Sequence, residues 1–183
     1  GSVGTLLDHV QGEDCIVFTG SGATAQKIKT HPQVIAENVP VNVEADSLNA
    51  AVMGPDVEPG SDTFHMFLTE VARELTQKAG QKCTAIRRAI VPRQYLDAVA
   101  EKLKARLAKV VVGDPSVEGV KMGALASHAQ QTDVTERVAL LRQSAELVFG
   151  GGQDFNPLGD GVDNGAFFQP TLLLCQKPLE TDS

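Results

Sequence analysis

The sequence predicts an α/β fold with a mostly parallel sheet flanked by helices. Short apolar, β-branched runs recur at 14–19, 50–53, 86–91, 146–149 and 167–175. Long segments between them carry apolar residues at three-and-four spacing, the mark of helices with one buried face. Glycine- and proline-rich breaks separate the two kinds. Strands alternating with amphipathic helices favour parallel pairing through helical crossovers.

The elements follow in order. Residues 14–19 read as a buried strand between Gly12 and Gly20. Gly20-Ser21-Gly22 then turns the chain into a helix at 23–29. His31-Pro32 ends that helix, because the residue before proline avoids the helical region. Residues 34–43 read as extended, with Pro40 limiting them to an edge or an irregular strand. After the strand at 50–53 comes a loop at 54–61, and Asp62 is placed to cap a helix over 63–78. Phe64, Phe67, Leu68, Val71 and Leu75 form its inner face and Arg73 and Glu74 its outer side; Gly80 stops it. A strand at 86–91 leads to a second long helix at 94–110, with Leu96, Val99, Leu103 and Leu107 on one side. Ser127-His128-Ala129-Gln130 is a capping box opening a third helix to 144, with Val134, Val138 and Leu141 inward. Strands at 146–149 and 167–175 enclose a glycine-rich loop at 150–165, long enough to be an excursion over the surface or toward a partner.

Composition narrows the function classes. The 183 residues are 42% apolar and 21% charged, as in a folded globular chain. Aromatics make up 4% with no Trp, which disfavours stacking platforms for bases. A net charge of −7 repels a phosphate backbone, so no nucleic-acid partner is expected. No apolar run reaches the roughly 18 residues of a membrane span, and no charged-then-apolar leader opens the chain. Three irregularly spaced cysteines argue against paired disulfides and for a reducing, cytoplasmic setting.

Candidate chemistry centres on Gly80-Gln81-Lys82-Cys83-Thr84-Ala85. Cys83 follows a helix end, where loops often carry catalytic groups on a rigid scaffold. Lys82, Arg87 and Arg88 are near in sequence, and positive charge favours a thiolate. The plain alternative is a buried cysteine acting as a small hydrophobe; that reading is applied to Cys15 and Cys175. Glu44 and Asp46 end the extended segment, either facing solvent or with one acting as a base in a cleft. Gly20-Ser21 at a helix start is an anion-binding corner or simply a tight turn. Asp154, Asp160 and Asp163 lack EF-hand spacing, and His65 has no metal-ligand companions, so no metal site is assigned. A cysteine hydrolase would need His31, His65 or His128 brought beside Cys83 by the fold. A noncatalytic assembly module is the remaining reading.

Phe18-Thr19-Gly20-Ser21, then Glu44, then Gly80-Gln81-Lys82-Cys83-Thr84-Ala85 resembles the aldehyde dehydrogenase superfamily, in that order and over almost the whole chain. Glu44-Ala45-Asp46-Ser47-Leu48-Asn49, 78–88, 111–115 and 119–125 are similar to the branch that oxidises CoA-linked semialdehydes. That branch includes the dehydrogenase half of the phenylacetate ring-opening enzymes and, as a near second, the dehydroadipyl-CoA semialdehyde dehydrogenases of benzoate breakdown. The resemblance implies that Cys83 is the nucleophile, attacking the aldehyde to give a thiohemiacetal that becomes a thioester on hydride loss to NAD or NADP, with NADP favoured. It implies that Glu44 is the base that activates the hydrolytic water, that the Cys83 N–H helps form the oxyanion hole, and that Gly20 and Ser21 lie beside the cofactor pyrophosphate.

Two departures stand out. Many relatives have Leu-Gly-Gly-Lys where this chain has Ala45-Asp46-Ser47-Leu48, and Ala25 replaces a glycine of the cofactor helix. The resemblance divides the chain into the end of a Rossmann-like cofactor domain at 1–43, a catalytic domain at 44–175 and a polar tail at 176–183, both domains incomplete. An isolated fragment of this kind is expected to be inactive. The partners that the resemblance implies are a small aldehyde, CoA-linked in this branch, and further copies of the same chain in a homo-oligomer.

Overall fold

Two β-branched segments begin the fold. Strand β1, Ile16–Gly20, pairs in parallel with β2, Val41–Ala45, with Ile16 opposite Val41 and Gly20 opposite Ala45. The computed structural model describes residues 5–152 and 155–177. Its chain divides into two compact units, Gly1–Leu48 and Asn49–Ser183.

In the first unit, β1 and β2 are joined by helices α1, Gly22–Lys29, and α2, Pro32–Ala36. Ser21 caps α1, its Oγ accepting the Thr24 N–H at 3.2 Å. Lys27 and Lys29 in the last turn complement the helix dipole. α2 stands where the sequence reads as extended. Pro32 does end α1, but it also opens α2, since its fixed φ and missing N–H suit a first helical position. Val10, Val34 and Val39 form a small core with Leu7, Ile16 and Val41. β1 is not the buried strand expected at 14–19: its residues alternate between half-buried and exposed, and Val17 is 74% exposed.

The second unit opens with a β-α-β arrangement. β3, Asn49–Val52, runs parallel to β4, Ile86–Ile90, and α3, Asp62–Thr76, connects them. Ser61 rather than Asp62 caps α3, its Oγ accepting the Phe64 N–H at 3.2 Å. Asp62 becomes the first helical residue, where its charge favours the dipole. Phe64, Leu68 and Val71 on α3 pack with Met53 and with Val99 and Leu103 of α4, Leu96–Leu107, into the main core. Ser127 caps α5, His128–Leu141, by accepting the Gln130 N–H.

β5, Glu146–Phe149, is antiparallel to β6, Leu172–Leu174. β6 is shorter than the apolar stretch at 167–175; Phe167, Phe168 and Pro170 lie ahead of it and are buried. Val112, Met122 and Phe167 form a third cluster, and Gly113 bridges Leu158. Asp154 and residues 178–183 of the expected tail lie outside the described residues. The class is therefore α/β with helices flanking predominantly parallel strands. Among the described residues the strands form three separate pairs, two of them parallel, rather than one sheet. No described helix is long and apolar enough to cross a membrane.

Candidate active site

Cys83 is presented by a loop braced on both sides. α3 ends at Thr76, and the chain then makes a left-handed turn: Lys78 has φ 53°, Ala79 φ 54° and Gly80 φ 69°. Gly80 suits that conformation, whereas the other two hold it against their preference. Gln81 pins the turn from both ends of its carboxamide. Its Oε1 accepts the Ala126 N–H at 2.8 Å, and its Nε2 donates to the Lys78 carbonyl at 3.2 Å. Lys82 is half-buried, donating to Glu74 at 2.7 Å and to Gln77 Oε1 at 2.6 Å. Glu74 therefore does not point outward from α3, as its helical position implied.

The Ala85 N–H donates to the Lys82 carbonyl at 3.2 Å, closing a tight turn with Cys83 and Thr84 at its corners. Ala85 is 1% exposed and anchors the far side, while Cys83 is exposed. Asn49 reaches the same loop, its Nδ2 lying 2.6 Å from the Cys83 carbonyl and 3.4 Å from that of Ala85. Sequence reasoning passed over Asn49, Gln81 and the Lys82–Glu74 pair. Their partners are backbone carbonyls and distant side chains, which no local spacing reveals.

Glu44 is exposed near the end of β2, opposite Thr19. It belongs to the first unit and Cys83 to the second. Gly20 ends β1 and Ser21 caps α1, and both are exposed. The next N–H is already engaged: Gly22 donates to both Asp46 carboxylate oxygens, at 3.0 and 2.9 Å. A Cβ on Gly22 would run into that carboxylate. The negative group at the α1 N-terminus is thus an internal one, which the helix dipole favours.

The other candidates fall elsewhere. Cys15, expected inside the first strand, is exposed just before β1, and Cys175 is half-buried just after β6. Both imidazoles of the second unit have their contacts away from the thiol loop. His65 meets the Phe64 ring edge-on, and His128 contacts Gln131 and the Asn164 carbonyl. His31 pairs with Asp8 in the first unit at 3.3 Å.

Comparison with known proteins decides the family. The model of the aldehyde dehydrogenase family matches residues 2–180. The chain belongs to the aldehyde dehydrogenase family. It is 48% identical over 179 residues to the 3,4-dehydroadipyl-CoA semialdehyde dehydrogenase of Aromatoleum evansii, covering 98% of this chain and 35% of that protein. It is 35% identical over 160 residues to the hydroxyisobutyraldehyde dehydrogenase of Mycolicibacterium austroafricanum, covering 87% of this chain and 29% of that one. Among solved structures, a Mycobacterium tuberculosis aldehyde dehydrogenase complexed with NAD+ matches with a TM-score of 0.72 at 28% identity, covering 87% of this chain and 31% of that one. The chain spans about a third of the length of these relatives.

Both departures of this chain from the family's common pattern have a physical account. Asp46 stands where the common pattern has its first glycine after Glu44, and its φ is 53°. Aspartate tolerates the left-handed region better than most side chains, and here its carboxylate gains the Gly22 N–H. Ala25 is 5% exposed on the inner side of α1, where a methyl group fills space that a glycine would leave empty.

Proposed function

We propose that this chain is the catalytic-centre segment of an NAD(P)-dependent aldehyde dehydrogenase that oxidises a CoA-linked semialdehyde to the acid. The observation that carries this reading is the thiol loop: a Gly-Gln-x-Cys turn whose flanking side chains are tied off while Cys83 stays exposed. The CoA-linked substrate rests on the relative at 48% identity, named for 3,4-dehydroadipyl-CoA semialdehyde. That relative favours the benzoate branch over the phenylacetate branch within aromatic-compound degradation.

In this reading the first unit is the end of the cofactor domain. A cofactor pyrophosphate at its corner would lie against Gly20 and Ser21, and the Gly22 N–H, already given to Asp46, would not be among the groups that hold it. The cofactor, NAD or NADP, supplies the hydride acceptor when bound. An NAD+ complex of a relative at 28% identity supports a nicotinamide cofactor without choosing between the two.

The thiolate of Cys83 forms a C–S bond to the aldehyde carbon, and the Cys83 N–H stabilises the oxyanion that results. After hydride loss the acyl group is a thioester on Cys83. Glu44 takes a proton from water as that water adds to the acyl carbon, and the C–S bond breaks to release the acid. A homo-oligomeric, cytoplasmic enzyme is part of the same proposal.

The test uses the full-length protein. Cys83→Ala is expected to abolish both steady-state oxidation and the first-turnover burst of reduced cofactor. Glu44→Gln is expected to keep the burst and lose turnover by at least a hundredfold. Wild-type turnover in the Glu44 variant removes that residue from the mechanism, and a burst in the Cys83 variant removes the thiol.

A further inference from the structure

The peptide between Cys83 and Thr84 is the central peptide of the tight turn closed from Lys82 to Ala85. In a tight turn the central peptide can rotate between two forms with little movement of the ends. The rotated form needs a positive φ at the second corner, here Thr84, which a β-branched side chain resists. Thr84 is not among the described positive-φ residues, so the loop sits in the unrotated form. A side chain that reaches this peptide from outside the loop is Asn49, whose Nδ2 donates to the Cys83 carbonyl.

We infer that Asn49 is the positioning residue for the Cys83 thiol: its carboxamide N–H group clamps the carbonyls at 83 and 85 and so fixes the peptide that follows the nucleophile. This deepens the proposed function and rests on Cys83 being the nucleophile. The geometry is direct, with Asn49 Nδ2 at 2.6 Å from the Cys83 oxygen and 3.4 Å from the Ala85 oxygen.

The strand pairing points the same way. Asn49 is opposite Ile86, but Ala50 is opposite Arg88, so β4 carries one extra residue at this point. Such bulges interrupt the ladder and commonly re-aim side chains next to active sites. Where the backbone ladder breaks off, the Asn49 side chain continues the bonding into the loop. Because the clamp comes from β3, whose Ala51 packs against the main core, the core side of the unit sets the direction of the Cys83 Cα–C bond, and with it the aim of the thiol.

The clamp can be read apart from catalysis. In the full-length protein, the rate of iodoacetamide labelling at Cys83 is followed on the tryptic peptide 83–87, together with the first-turnover burst. Asn49→Asp keeps the shape but offers carbonyls no donor. It is expected to slow the burst at least tenfold and to change the labelling rate at Cys83 at least threefold, with KM for the cofactor within twofold of wild type. Asn49→Gln keeps the donor and is expected to recover at least a third of the lost burst rate.

Wild-type burst and labelling in Asn49→Asp overturn the clamp while leaving the nucleophile in place. A burst that survives Cys83→Ala instead overturns the proposed function, and the labelling rate still reads the clamp. If Asn49→Asp does not fold, Asn49→Gln is compared with Asn49→Ser, whose hydroxyl is too short to reach. Equal rates in those two variants overturn the inference.

Discussion

Lys82 adjoins Cys83 in sequence, so its charge reads as a device for favouring the thiolate. Its ammonium instead lies 2.7 Å from Glu74, with both side chains largely shielded at 16% and 14% exposure. Its charge is spent on a brace between α3 and the loop. Asp114 shows a second local effect, and one with a sign that can be checked. The Ser116 backbone N–H, 2.9 Å away, and the Ser116 hydroxyl hold its carboxyl below the usual carboxylate range. The folded state thus prefers the ionised form more than the unfolded chain does, where aspartate titrates near about 3.9. The stabilisation is present above that value and is lost as pH falls through the lower folded one. Asp114→Asn is expected to be less stable than wild type at pH 7, with the gap closing on acidification past the aspartate range. Denaturant midpoints across the acid range measure this, and a gap constant with pH refutes it.

At the scale of elements, the left-handed turn ahead of the thiol is the informative case. Gly80 announces a break in the sequence, but Lys78 and Ala79 do not, because both are good helix formers. Nothing local says they adopt φ near +53°; the packing of Ala79 against the cluster of Val112, Met122 and Phe167 does. Each such residue stores roughly 1–2 kcal/mol of backbone strain. Lys78 is exposed, so it can be changed without touching that packing. Lys78→Gly is expected to stabilise the fold by about 1 kcal/mol, the relief of strain exceeding the added freedom of the unfolded chain. A thermal melt checks it, and destabilisation would show that the strain lies elsewhere.

The same contrast explains what the sequence made legible. The helices with one apolar face, α3 and α4, were readable because burial imposes the period directly. α2 was not, because one proline both ends a helix and starts another. Cys83 and Glu44 were singled out through the motifs around them. Asn49 and Gln81 escaped because their partners are carbonyls and amides contributed by tertiary structure.

For the whole molecule, the exposed faces of the strands carry the argument. Parallel strands are normally covered on both faces. Here Val17 of β1 is 74% exposed, Val52 of β3 69% and Ile90 of β4 51%. A two-stranded ladder with open faces is marginal in water, whereas α3 and α4 share a core whose Leu68 and Leu103 are each 1% exposed. Local stability should therefore divide along the chain. In this chain alone, backbone amides of β1 and β2 are expected to exchange with solvent at least a hundredfold faster than those of α3 and α4. If the chain is part of a full-length protein as proposed, further elements are expected to cover these faces, and protection at β1 and β2 is expected to rise there toward that of α3. Hydrogen exchange followed by mass spectrometry reads both states on the same peptides. Equal protection of β1 and β2 in the two would mean that the pair is stable as it stands, and that the larger enzyme adds nothing to it.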